Sequence, residues 1–348
     1  MSKGLVLVTG VSGYLGSHVV DILVKEGYRV RGTVRSAKVA ANKEAFAVYD
    51  DAVEIYGMDD LIGGSYPDAF KGVSGIIHLA APLAGRASAQ EAIDVAVDGS
   101  LNIFKQAERA GITKFSYISS IVSQSTAFLS GDYTTLKDDQ WVSISKEDVI
   151  NNKDASPVII YVAEKVLSER AVWEFVEKHP HIEMTTVNPP FFHGPFAPGY
   201  KSPYESSVIS TASMSTMVFL YYLLCPKNGA PTPYFVDIRD VARALVLALD
   251  SPPTSKVGQK RILISSEWVQ PSDIIALVVK ERPALKDRIN EEFKTAPGGI
   301  TPIVDNKRLK EVLGMEVTPW QKTVLDGVDA ILEMEKEWKK RGLTPTFP

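Results

Sequence analysis

A single cysteine, Cys225, stands among 348 residues, so no internal disulfide can form and stability does not rest on an oxidising compartment. The thiol is expected to pack as a small hydrophobe. Five scattered histidines show no metal-ligand spacing, which argues against a zinc site. Long apolar runs are also missing: the strongest, Met217–Cys225, falls far short of the roughly 20 residues that span a bilayer. Met1-Ser2-Lys3-Gly4 passes directly into the first expected strand, leaving no room for a signal peptide, and a cytoplasmic location is expected. Charge of one sign is lacking too. The net charge is −4 with no long basic block, so nothing electrostatic points to nucleic acid or a membrane surface.

What is present is an ordinary soluble composition, 45% hydrophobic and 23% charged. The length fits one large α/β domain with an appended lobe, or two domains. Leu5–Thr9 is a short, nearly all-apolar run, as expected of a parallel strand buried on both faces. The helix after it carries Leu15, Val19, Ile22 and Leu23 on one stripe and stops at Gly27. Further strands are expected at Tyr28–Val34, Ala52–Tyr56, Gly75–Ala80, Lys114–Ser119 and Ile182–Val187, with helices at Ala92–Ala110 and Val162–Lys178. Strands alternating with helices at this spacing predict an α/β fold, a doubly wound parallel sheet with right-handed crossovers.

After Asn188 the pattern turns rich in Pro, Gly, Ser and aromatics, with one strong helical segment at 208–224. A strand resumes at Tyr234–Val236, followed by a helix through Val241, Leu245 and Leu249. The tail from Arg261 carries a strand, a helix near Ser272–Lys280 and a last helix near Trp320–Lys339. The expected division is a dinucleotide-binding domain of residues 1–188 and 234–256, and a smaller, discontinuous substrate lobe of 189–233 and 257–348.

Between the first strand and first helix lies Thr9-Gly10-Val11-Ser12-Gly13-Tyr14-Leu15-Gly16. In such a loop the first glycine permits a tight turn, the second lets the main chain approach a pyrophosphate, and the third lets helix and strand pack closely. The phosphates then meet the positive end of the helix. Thr9, Gly10, Ser12, Gly13, Tyr14, Leu15 and Gly16 are therefore candidate cofactor contacts. Chains that bind NAD usually end the second strand with an acid for the ribose 2′-hydroxyl. Here stand Gly32-Thr33-Val34-Arg35-Ser36, with Lys38 three residues past Arg35. A guanidinium suits a 2′-phosphate, which makes NADPH the expected cofactor; the alternative is that Arg35 and Lys38 are solvated surface charges. Asp60, with Leu61 beside it, is placed to receive the adenine amino group, unless it is a plain turn aspartate. His78-Leu79-Ala80-Ala81-Pro82 closes the fourth strand with small residues, and Leu79, Ala80 and Ala81 are candidates for the cofactor's path. His78 reads as a structural, hydrogen-bonded histidine.

Tyr161 and Lys165, four residues apart at the head of a helix, project from one face. A free phenol titrates near pH ~10, and proton exchange near neutrality asks for about 4 kcal/mol of phenolate stabilisation. A neighbouring ammonium can supply part of it. In the reductive direction the neutral phenol donates its proton to a carbonyl oxygen as hydride arrives, and Lys165 can hydrogen-bond the nicotinamide ribose. Tyr117-Ile118-Ser119-Ser120 ends the fifth strand at the edge where open α/β sheets hold ligands. Ser120 is the candidate hydroxyl that orients the carbonyl, with Ser119 the second choice.

In these residues the chain resembles the extended short-chain dehydrogenase/reductase family, and within it the branch of dihydroflavonol reductases, cinnamoyl-CoA reductases and fungal carbonyl reductases. Thr9–Gly16 matches the family's glycine loop, Thr33-Val34-Arg35 its NADPH-selecting turn, and Asp138-Asp139-Gln140-Trp141 the acidic-Trp patch before the active helix. Asn188-Pro189-Pro190-Phe191-Phe192-His193-Gly194-Pro195 resembles the segment lying along the nicotinamide, which implies cofactor contacts for Pro189 and Phe192. Phe235–Ala242, with Asp237 and Asp240 as helix-start acids, and Asp305-Asn306-Lys307 resemble later structural signatures. Glu164 stands where the family often has serine, and Asp98 where many relatives have asparagine. The cinnamoyl-CoA signature Asn-Trp-Tyr-Cys-Tyr-Gly-Lys is absent, and Ser125 replaces a flavonoid-binding asparagine. The resemblance therefore implies an NADPH-dependent carbonyl reductase.

The substrate is expected between the sheet edge and the second lobe, against Phe191, Tyr200, Tyr204, Met214 and Met217; the alternative for each is core packing. An aryl or alkyl ketone or aldehyde suits such a wall, with no nucleic acid or membrane partner and a monomer or homodimer as the assembly. Three alternatives share the fold: a sugar-nucleotide epimerase or dehydratase holding NAD, a 3β-hydroxysteroid-type dehydrogenase, and a non-enzymatic redox sensor, which an intact Tyr161/Lys165 pair disfavours.

Overall fold

A computed structural model describes residues 3–81, 88–126, 136–152, 154–225, 232, 234–290 and 304–346. Pro82 lies outside the described residues. Seven parallel strands form the main sheet: β1 (Leu5–Thr9), β2 (Arg29–Val34), β3 (Val53–Gly57), β4 (Val73–His78), β5 (Lys114–Ile118), β6 (Glu183–Asn188) and β9 (Lys260–Leu263). Their order is β3-β2-β1-β4-β5-β6-β9. The order reverses between β1 and β4, so the carboxyl ends of those two strands open the crevice where such sheets take ligands. Every residue of β1 is buried, as its unbroken apolar run requires of a strand covered on both faces.

Helix α1 (Tyr14–Lys25) follows β1 and ends as expected, with Gly27 at φ +86° beyond its last turn. A capping box of Ser88 and Glu91 starts α2 (Ala89–Asp94). It passes through one π turn (Val95–Gly99) into α3 (Ser100–Arg109). Helix α4 (Pro157–Glu177) begins five residues before the expected Val162. The missed signal is Ser156-Pro157: the serine accepts from the amide of Ile159, and proline suits the first helical position. Tyr161 therefore sits a full turn inside the helix, where its backbone is held.

Three expectations need correction. The strand Lys260–Leu263 pairs with β6 and completes the main sheet, although everything from residue 257 was expected in the second lobe. Conversely, β8 (Phe235–Asp237) does not rejoin that sheet; it pairs in parallel with β7 (Phe191–His193) as a separate ribbon. The expected helix over 208–224 is broken into Thr211–Met214, Met217–Tyr221 and a 3-10 turn Tyr222–Leu224. Ser215 breaks it with φ +52°, and the Thr216 hydroxyl donates to the carbonyl of Phe192. The same apolar cluster joins Val19 and Leu245 on the sheet's helices to Met217, Val328 and Trp338, so the second lobe shares the core of the first.

Between sheet and α4 lies a buried polar knot. Glu169, fully buried, receives Arg261 Nε (2.7 Å), Ser119 Oγ (2.6 Å), Ser123 Oγ (2.5 Å), Thr186 Oγ1 (3.0 Å) and Asn188 Nδ2 (2.9 Å). Arg261 also donates to the carbonyls of Asp138 and Gln140 and lies 3.5 Å from the ring centroid of Trp141. Burial alone would raise the Glu169 pKa, but the Arg261 guanidinium and the hydroxyl donors outweigh it and hold the carboxyl below its usual value. Removing one member of such a pair strands a buried charge. Arg261→Met should lower the unfolding free energy by about 3–5 kcal/mol in urea titrations, and a loss below about 1 kcal/mol would show that the pair behaves like a surface ion pair.

Candidate active site

The glycines divide their work as the loop pattern anticipates. Gly10 has φ +74°, open to few other residues, and a Cβ there would also meet the backbone of Ala80 at 3.2 Å. At Gly16 a Cβ would lie 2.4 Å from the Gly10 carbonyl oxygen and 2.7 Å from Val11 Cα. Gly13 differs. Its φ of −83° is ordinary, and its nearest neighbour would be the Gly10 oxygen at 3.4 Å, an ordinary contact. The protein itself needs no glycine at 13. A Cβ there would project from an exposed turn at the head of α1, the space a pyrophosphate needs, so these residues fit a dinucleotide.

Three of the loop's candidates carry side chains turned to other tasks. The buried Thr9 hydroxyl accepts from the amides of Leu79 (2.9 Å) and Ala80 (3.0 Å) and meets His78 Nδ1 at 2.9 Å. Its one proton goes to His78, whose other nitrogen then donates to Ser100 Oγ at 3.1 Å. Burial pushes the His78 pKa down to about 3, so the ring is neutral and structural. Tyr14 is buried and donates to the Gly194 carbonyl at 2.8 Å, and Leu15 is buried in the core. These three side chains are engaged within the protein, and any cofactor contact from them would be through their main chain. Ser12 is half-buried in the turn.

At the end of β2, Arg35 and Lys38 are exposed; Arg35 precedes a 3-10 turn, Ser36–Lys38, and Lys38 ends it. Asp59 ties that turn down, accepting from the Ser36 amide at 2.7 Å and from its hydroxyl at 2.5 Å. Those bonds, with Arg35 nearby, hold Asp59 below the usual carboxylate range. Sequence reading found no acid here because Asp59 comes from beyond β3. Asp60 accepts from the amides of Ile62 (3.0 Å) and Gly63 (2.9 Å), so it stabilises its own turn, the plainer of its two readings. Leu61 is half-buried beside it, and its carbonyl takes the Asn102 amide. Leu79 and Ala80 are half-buried and Ala81 is exposed at the mouth of β4.

Past β5 the chain brings Ser120, Tyr161 and Lys165 together. The Ser120 hydroxyl lies close enough to the Tyr161 phenol to favour its ionised form. The Lys165 ammonium lies 6.0 Å from the centre of the Tyr161 ring and donates to the Ile118 carbonyl at 3.4 Å. Ser119, the second choice, has its hydroxyl bound to Glu169, which leaves Ser120 as the one facing the phenol. Burial raises the Tyr161 pKa; the Ser120 hydroxyl opposes the rise and the Glu164 charge adds to it. Burial also lowers Lys165. The expected lowering of the phenol by Lys165 is not what dominates in the protein alone: desolvation does, and the phenol is neutral.

Pro189 is buried and its carbonyl accepts from the Ile121 amide (3.0 Å) and, weakly, from Ser120 Oγ (3.5 Å). Phe192 is half-buried with its ring 6.0 Å from that of Tyr14. Among the expected substrate contacts, Phe191 is 37% exposed, packed edge-on against Phe219, and Tyr204 is half-buried. Tyr200, Met214 and Met217 are corrected to core: Met214 and Met217 have no exposed surface, Tyr200 donates to the Ser213 carbonyl at 3.0 Å, and Met217 sulfur accepts from the Gly194 amide at 3.4 Å. Met217 thereby supports the end of the Phe191–His193 strand. Asp237 and Asp240 are structural, as read: Asp237 caps α5 (Ile238–Ala248) and Asp240 accepts from Thr318.

The glycine turn and the Ser120, Tyr161 and Lys165 cluster share one sheet edge, and the family model for the NAD dependent epimerase/dehydratase family matches residues 6–262. The chain belongs to that family. It is 31% identical to the ketoreductase adrE of Penicillium roqueforti over 348 residues, covering 93% of this chain and 95% of the relative. The putative NADPH-dependent methylglyoxal reductase of Candida albicans is 28% identical over 356 residues, covering 95% and 99%. The fold matches that of the yeast methylglyoxal/isovaleraldehyde reductase solved with NADPH, with a TM-score of 0.79 at 24% identity over 96% of this chain and 99% of that one. Among the described residues no helix is long and apolar enough to cross a membrane.

The two kinds of glycine can be separated by experiment. Gly13→Ala should leave the melting temperature unchanged while weakening dinucleotide binding at least about tenfold, since a methyl group would occupy the pyrophosphate's place. Gly16→Ala should destabilise the fold by about 1–3 kcal/mol, because backbone must move to admit the Cβ. Equal losses of stability in both variants, by calorimetry, would sink the distinction.

Proposed function

We propose that this protein is an NADPH-dependent carbonyl reductase that converts a small ketone or aldehyde to the alcohol. One observation carries the reading: the neutral Tyr161 phenol, beside Ser120 and flanked by Lys165, lies at the same sheet edge as the glycine turn. The ketoreductase and methylglyoxal reductase among the relatives support it. NADPH, when bound, supplies the hydride that reaches the carbonyl carbon. The main chain around Gly10–Gly16 holds its pyrophosphate, and Arg35 with Lys38 offers cationic partners for the 2′-phosphate. Leu79, Ala80, Ala81, Pro189 and Phe192 line its path.

The Ser120 hydroxyl donates to the carbonyl oxygen and fixes its position. Tyr161 gives its phenolic proton to that oxygen as negative charge develops there. Burial suits this direction of reaction, because it keeps the phenol protonated until the oxygen calls for the proton. Lys165 provides the positive charge that stabilises the phenolate left behind. Phe191 and Tyr204 present an apolar face for the substrate, which favours an alkyl or aryl carbonyl over a charged one. The protein works on this reading as a cytosolic monomer or homodimer.

NADPH consumption across aldehydes, ketoesters, aryl ketones and dihydroflavonols tests the assignment directly. Tyr161→Phe should keep NADPH binding yet lose about 10²–10⁴ in turnover; undiminished turnover would remove the phenol from the reaction. Arg35→Ala should raise KM for NADPH about tenfold or more, the loss of one charge-assisted bond, with little change for NADH. Equal effects on both cofactors would refute the 2′-phosphate role.

A further inference from the structure

Helix α4 carries two buried carboxyls with opposite surroundings. Glu169 receives five donors, one of them an arginine. Glu164, only 1% exposed, has neither carboxyl oxygen hydrogen-bonded to any described residue. It lines a small cavity with Lys165, Ser100, Ala96, Ala80 and Ala81, with about 10 Å³ open to the centre of a water molecule, the room that one water needs. The far wall, Ala96, belongs to the π turn Val95–Gly99 that interrupts the facing helix, and Ala80–Ala81 is the strand end assigned to the cofactor's path. A fold selected for stability alone has no use for such a group, since an unpartnered buried carboxylate is costly.

We propose that Glu164 is a positioning residue for the reduction, a carboxyl held in the cavity behind Lys165 whose proton sets the electrostatic field felt by the Tyr161 phenol. The inference rests on the carbonyl-reductase reading. Ionised, Glu164 adds negative charge beside Tyr161 and makes the phenol a weaker acid; protonated, it leaves Lys165 as the charge that acts on it. Proton donation to the carbonyl is therefore faster while Glu164 keeps its proton. Burial favours that form, against the pull of Lys165, and brings the carboxyl up from 4.5 to about 7.

Other titratable groups around the cavity do not compete for this role. On β4, His78 is neutral throughout the working range, and on β5, Tyr117 is pushed up by burial. From the facing helix, Asp94 is paired with Lys146, and the exposed Asp98 acts on that same lysine. On α4 itself Glu169 is neutralised by Arg261. Among the described residues, Tyr161 and Lys165 remain to answer to the proton on Glu164.

The test uses the full chain and Glu164→Gln, which keeps the shape and stays uncharged. In the protein without cofactor, the infrared carboxyl band that titrates at about pH 7 should be present in the wild type and missing from the variant; a wild type lacking it between about pH 5 and 8 overturns the proposal. With NADPH and one reducible carbonyl, wild-type kcat should fall roughly three- to tenfold as pH rises through about 7, while the variant stays at the low-pH rate. The same fall in the variant overturns the proposal and leaves the reductase reading standing. A wild type that reduces no carbonyl overturns both. The folded pKa is raised, so wild-type stability is lost as pH rises from 4.5 to about 7, and the variant's advantage in Tm should grow over that window and then level off. An advantage that does not change with pH counts against the proposal. If Glu164→Gln does not fold, Glu164→Ser replaces it in every measurement with the same outcomes.

Discussion

The ion pair between Glu169 and Arg261 organises the functional half of this molecule. One carboxylate ties α4 to the ends of β5 and β6, and its guanidinium partner, from β9, clamps the carbonyls of Asp138 and Gln140 and stacks on Trp141. Desolvating two charges costs several kcal/mol, and such a pair is held only where the remaining lone pairs and donors are satisfied. Here they are, by Ser119, Ser123, Thr186 and Asn188. The consequence is geometric. Helix α4 is fixed against the sheet one turn beyond Lys165, so the phenol, the ammonium and Ser120 have little freedom to drift apart.

That rigidity permits selective occupancy of the serines. Ser119 and Ser123 are spent on Glu169, which leaves the Ser120 hydroxyl facing the phenol. Likewise Thr9 staples β1 to β4 through His78 and two amides, closing the side-chain route to the glycine turn and leaving backbone to meet the cofactor. Small, anion-friendly surfaces at the crevice arise because larger and more polar neighbours are used elsewhere. The second lobe serves the same end: Met217 and Thr216 hold the Phe191–His193 ribbon from behind.

Much of this was legible along the chain. Short runs rich in apolar and β-branched residues, bounded by turns, located each strand of the main sheet within a few residues, β1 most plainly because it is buried on both faces and wholly apolar but for Thr9. The glycine loop and the Tyr161/Lys165 spacing were equally plain. Misreadings have common causes. Met214, Met217 and Tyr200 looked like pocket walls, since apolar composition does not say which side faces a core. The helix over 208–224 failed at Ser215 because a distant carbonyl, that of Phe192, competes for Thr216. Arg261 and Glu169, separated by most of a domain, carried no local sign of their partnership.

The order of residues by itself determined the alternating sheet, the three glycines, the phenol and lysine on one helical face, and the basic turn after β2. These depend on local periodicity and short-range sterics, which neighbouring residues settle among themselves. Tertiary structure alone decided which of two adjacent serines meets the phenol, that Asp59 braces the Arg35 turn, that β9 completes the sheet, and that Glu164 finds no partner among the described residues while Glu169 has five donors. Those outcomes turn on burial and on donors brought from distant segments, and the cost of a buried charge is defined only once the surrounding chain is in place.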